Sequence, residues 1–94
     1  IVAVYLEDAP RLIAQLERAA VGNDPIALRV AAHTLKSSSA NVGATTLADA
    51  ARDLETGARD GTLTQPATAV ARIVGEFAQV RAALQAQLAS NGAG

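Results

Sequence analysis

Three breaks limit what this chain can fold into. GNDP at 22–25, the glycine at 43 with two threonines behind it, and RDGTLTQP at 59–66 punctuate a sequence otherwise rich in alanine, leucine, glutamine, glutamate and arginine. Those residues favour helix. No sustained apolar/polar alternation and no Asn-Gly hairpin turn marks a strand. The breaks therefore predict four helical stretches. Short connections between helices of similar length predict an all-α, up-down antiparallel four-helix bundle.

The first stretch runs from about Val2 to Ala20, with Tyr5, Leu6, Leu12, Ile13, Leu16 and Ala20 recurring at helical spacing. Pro10 either kinks this helix or begins a second one with Asp8 as its cap. Asp24 and Pro25 supply a cap and first residue for a helix ending near Asn41, where Gly43 stops it. Its inward stripe is Leu28, Ala31, Leu35, Ser38 and Val42. Thr45 or Thr46 is expected to cap the third helix, and Thr46 with Asp49 resembles a capping box. Leu47, Ala50, Ala51, Leu54 and Ala58 form its stripe. Pro66 opens the fourth, which carries Val70, Ile73, Val74, Phe77, Val80, Leu84 and Leu88. The bundle is expected over 1–89, with a disordered tail over 90–94.

The totals exclude several classes of function. The 94 residues suit one small domain, and many of its apolar residues are alanine. Tyr5 and Phe77 are the only aromatics, too few for a stacking surface, and a net charge of −1 gives no basic field for nucleic acid or anionic lipid. The absence of cysteine excludes a disulfide scaffold and a thiolate metal site, and a single histidine excludes a His-rich one. No apolar run approaches the roughly 20 residues of a membrane helix. With no methionine, the chain reads as a domain cut from a longer protein.

Its one histidine sits within AAHTLKSSSANVGA, residues 31–44. At roughly 100° per residue, His33 falls nearly opposite the inward stripe and faces solvent. Its helical neighbours are Arg29, Val30, Lys36 and Ser37, with Ile26 and Ala40 two turns away. An imidazole in water titrates near pH ~6.5, so it is largely a neutral nucleophile at cell pH. Lys36 offers a cation one turn away, and the surroundings are otherwise small or apolar. None of Asp24, Asp49 or Glu55 falls in this cluster on the helical wheel. By position alone an inert surface histidine is the commoner case. The three serines are then small residues at a helix contact, bonding back to carbonyls of the preceding turn.

HTLKSSSANVGA closely resembles the signature of the histidine-containing phosphotransfer (HPt) domains of bacterial multistep phosphorelays, H-x-L-K-G-S-[SA]-x-x-x-G. His33 matches the phospho-accepting histidine, Lys36 the lysine one turn on, and Gly43 the glycine ending the helix. LADAARDLE, residues 47–55, resembles the next helix of that family, which ends in Leu-Glu. YLEDAPRLIAQLERA, residues 5–19, resembles the helix before. Two departures stand out. Ser37 replaces a usual glycine, and a short helix often preceding the bundle is not seen before Ile1.

The resemblance implies a relay intermediate of two-component signal transduction. His33 accepts a phosphoryl group from a receiver-domain aspartate and passes it to another. Lys36 assists, and Ser37 stays small so that the donor can approach. Ile26, Arg29, Val30 and Ala40 form the partner-binding face. It implies no cofactor in this domain, with Mg²⁺ supplied by the partner receiver, and no kinase activity of its own. It also implies no nucleic-acid partner, no direct membrane contact and a monomeric domain. The setting it suggests is cytoplasmic, within a hybrid sensor histidine kinase that can itself be membrane-bound. The alternatives are a histidine-kinase dimerisation domain and a helical docking module that transfers nothing. The first is opposed by Thr34, where an acid usually follows the histidine, and by the lack of a proline before Pro66. A Ser37–His33 hydrolase lacks a nucleophile elbow and an orienting acid.

Overall fold

In a computed structural model, backbone is described for residues 1–93 and side chains for residues 1–90. The chain forms α1 (Val2–Val21), α2 (Pro25–Asn41), α3 (Thr45–Asp60) and α4 (Pro66–Ala93). Each helix packs on its neighbours in sequence, and α4 returns to α1. The backbones of the two diagonal pairs do not approach closely among the described residues, and the connections are short, so this is the expected up-down antiparallel four-helix bundle.

Local chemistry explains the ends. Asp24 caps α2, its carboxylate accepting from the Ala27 amide at 3.1 Å, and Pro25 fills the first helical position. The turn before it uses Asn23, at φ 51, as its left-handed residue. At the end of α2, Gly43 takes φ 79 and the Ala44 amide donates back to the Ser39 carbonyl, a Schellman-type closure. Gly61 ends α3 in the left-handed region.

The structure decides between the alternatives at Pro10 and corrects the expected cap of α3. Pro10 lies inside one continuous helix. It is exposed, so the amide bond it cannot make is lost on the face where water substitutes. Neither threonine caps α3: the cap position is Ala44, with no side-chain bond, because both threonines already lie in the first turn. Helix α4 is described to Ala93; of the 90–94 stretch, the side chains beyond residue 90 and all of Gly94 lie outside the described residues.

The core is built from Leu16, Leu28, Leu35, Leu47, Leu54 and Ile73, all fully buried. Each contributes about 1.5–3 kcal/mol by leaving water. Alanines at positions 9, 19, 31, 32, 50, 51 and 58 fill the helix contacts. The stripe of α3 is as expected, but that of α2 is shifted: Ala32 is buried as well, and Val42 is only half-buried. Ser39, not Ser38, is the fully buried serine, and its hydroxyl shares a 2.9 Å hydrogen bond with the Tyr5 hydroxyl. That bond satisfies two polar groups inside an apolar core. On α4, Val74 and Leu88 are exposed, so the apolar pattern there is wider than the face it buries.

Candidate functional site

The outer face of α2 carries the site. Leu28, Ala31, Ala32 and Leu35 bury the opposite face and fix its rotation. His33 consequently points outward, with its side chain 61% exposed. Ile26, Arg29, Val30, Ser37 and Ala40 are exposed on the same helix, and Lys36 is half-buried. The structure thus keeps the residues read from the sequence on one open surface.

The helical wheel misses the group that organises this surface. Glu55, on α3, places one carboxylate oxygen 2.7 Å from His33 Nδ1 and the other 2.7 Å from Lys36 Nζ. The expectation that no carboxylate joins the His33 cluster is wrong. A wheel describes one helix, and Glu55 reaches the histidine across the α2–α3 contact, 22 positions along the chain. The buried Leu54 beside it locks the register of α3 and turns the next position toward α2. The Leu-Glu pair at the end of LADAARDLE is the sequence signal that marks this acid.

The electrostatics follow from the geometry. The Lys36 ammonium is the main influence holding the Glu55 carboxyl below the usual carboxylate range, and the hydrogen bond from His33 adds to it. Partial burial opposes both. An ionised carboxylate only accepts hydrogen bonds. The hydrogen of the neutral imidazole must therefore sit on Nδ1, which donates to Glu55, and the ring's lone pair lies on Nε2. The carboxylate orients the ring as the acid of a catalytic triad orients its histidine.

Lys36 donates to Glu55 at 2.7 Å, so the carboxylate links the lysine to the imidazole. Ser37 Oγ donates to the His33 carbonyl at 3.2 Å, and Thr34 Oγ1 to the Val30 carbonyl at 3.3 Å. Both hydroxyls are thus occupied by the helix itself. Among the described residues, no cluster of three or more histidine, cysteine or acidic side chains stands ready to hold a metal ion. No described helix is long and apolar enough to cross a membrane. The site can therefore offer one oriented, solvent-facing nitrogen nucleophile on a shallow surface.

The family model described as the Hpt domain matches residues 1–89. Among solved structures, the fold is similar to the crystal structure of histidine-containing phosphotransfer protein B (HptB) from Pseudomonas aeruginosa PAO1. The TM-score is 0.88 at 31% identity, over 92% of this chain and 75% of that one. Among curated proteins, none matches.

Proposed function

The chain belongs to the Hpt domain family, a family of histidine phosphotransfer in phosphorelays, and on that premise we propose that His33 is its phosphoryl carrier between receiver domains. The observation that carries the reading is the 2.7 Å bond from His33 Nδ1 to Glu55, which leaves Nε2 as the outward nucleophile.

A receiver aspartyl-phosphate docks over the exposed face of α2, on Ile26, Arg29, Val30 and Ala40. Nε2 attacks phosphorus in line. The Nε2–P bond forms as the aspartyl O–P bond breaks, and the aspartate leaves with the electron pair as a carboxylate. The proton on Nδ1 stays in place. The imidazole thereby gains positive charge, which the Glu55 carboxylate meets at hydrogen-bond distance. A second receiver aspartate later reverses the sequence. The receiver brings Mg²⁺ and most of the charge stabilisation that phosphoryl transfer needs. This domain contributes position and an oriented nucleophile. Ser37, small and one turn from His33, leaves room for the donor.

Incubation with a phosphorylated receiver and Mg²⁺, followed by mapping of the modified residue, tests the reading. An acid-labile, alkali-stable label on His33, absent from His33→Gln with helical content unchanged, is the expected result. A labelled serine in that variant would overturn it.

A further inference from the structure

Across the bundle from His33 lies an apolar face that no described residue covers. Helix α1 packs on α4 as α2 packs on α3, so the α1–α4 seam is opposite the α2–α3 seam that carries His33 and Glu55. Two hollows of about 270 Å³ each run along it. Glu17 and Val74 line both, so the hollows form one continuous groove. Val21, at one end, is 91% exposed, and Val74, in the middle, 40%.

Helix α4 turns a second seam toward this groove. Its first seam, Val70, Ile73, Phe77 and Leu84, is buried in the core. Ala67, Ala71, Val74, Ala78 and Arg81 follow at alternating steps of four and three, and the same steps lead through Gln85 to the exposed Leu88. That spacing is the one by which a helix packs along another helix. Gly75 sits beside the seam, where a Cβ would meet nothing within 4 Å. Glycine inside a helix costs about 1 kcal/mol relative to alanine, and no contact within the chain requires it here.

Charge identifies the occupant. The groove holds one acid, Glu17, beside Val74, and one base, Arg81, two helical turns further along α4. Neither is in an ion pair among the described residues. The Arg81 guanidinium rests 5.5 Å over the Phe77 ring. One acid and one base give no cationic face for a membrane surface, but they are complementary to themselves. A two-fold axis between Phe77 and Ala78 sets Val74 opposite the partner's Arg81, and Ala67 opposite the partner's Leu88. Each Glu17 then meets the partner's Arg81, and symmetry makes that pair twice.

We infer that a second copy of this chain docks on the α1–α4 groove, forming a two-fold dimer in which Glu17 of each subunit pairs with Arg81 of the other. Both His33 side chains remain on the outside. The inference departs from the monomeric domain that the resemblance implies, and it does not depend on what His33 does.

Sedimentation equilibrium over a concentration series tests it. The wild type should show a reversible monomer–dimer equilibrium in the micromolar range. Ala78→Arg sets two cations against each other at the axis and should weaken association more than tenfold. Glu17→Arg or Arg81→Glu alone places like charges across the interface and should weaken it about tenfold. An equimolar mixture of those two single variants should associate as the wild type does, because each charge then meets its opposite in the other chain. All three positions are exposed, and circular dichroism checks that the variants fold. Should Ala78→Arg fail to fold, the mixed charge variants still decide. A wild type that stays monomeric up to about 1 mM overturns the inference. So does a dimer that Ala78→Arg leaves intact, or a mixture that associates no better than its components.

Discussion

Glu55→Ala is the substitution with the most informative consequences. It removes the acceptor of two short bonds, from His33 Nδ1 and from Lys36 Nζ, each 2.7 Å. The effect on stability is modest because the partners reach water. His33 is 61% exposed and Lys36 31%, so each resolvates when its bond is lost. Exposed pairs of this kind are worth about 0–1 kcal/mol each, so the two together should cost about 0–2 kcal/mol. For a domain of this size each kcal/mol lowers Tm by roughly 4–8 °C.

Transfer should suffer more. Without the carboxylate, the ring loses its fixed orientation and its hydrogen is free to move to Nε2, which removes the outward lone pair. The positive charge that develops on the ring also loses its counter-ion. A hydrogen bond to a charged group is worth about 1.5–3 kcal/mol. Single-turnover transfer from a phosphorylated receiver should slow by roughly ten- to hundredfold. ¹⁵N spectra of the imidazole should show the ring hydrogen shared between both nitrogens, where the wild type holds it on Nδ1. Wild-type transfer together with a wild-type tautomer in the alanine variant would refute the reasoning.

The same pair makes a pH prediction. Glu55 has its folded pKa lowered, chiefly by Lys36. Its contribution is then complete above the unfolded value of about 4.3 and is lost as pH falls through the lower folded value. The difference in Tm between wild type and Glu55→Ala should therefore shrink below about pH 4, and a constant difference down to pH 2 would contradict it.

Further outcomes follow from the packing around the site. Ser37→Leu should block transfer while changing stability by about 0.5 kcal/mol or less, as exposed substitutions do; an unfolded leucine variant would make Ser37 a packing residue. Ser39→Ala leaves the buried Tyr5 hydroxyl unpaired and should cost about 1–3 kcal/mol, whereas Ser39→Ala/Tyr5→Phe removes both partners and should recover part of the loss in a denaturant melt. Burial pushes the Tyr5 phenol up, so stability in wild type should fall as pH rises past about 10, and less so in the double variant. Labelled ATP with this domain alone should leave it unlabelled, and incorporation would move the histidine-kinase reading to first place.

The sequence by itself determined the number, type and order of the elements. Asp24-Pro25, Gly43, Gly61 and Pro66 act through backbone restrictions that need no partner, and they fall at the helix ends. Periodicity set the rotation of α2, since burying Leu28, Ala31 and Leu35 forces His33 outward. Only the tertiary structure decided what His33 meets. Glu55 is 22 residues away on another helix, and the wheel of α2 contains no information about the phase of α3. The choice of Ser39 over Ser38 for the core has the same origin: it needed Tyr5 of α1 opposite, offering the one hydrogen bond that lets a hydroxyl be buried there.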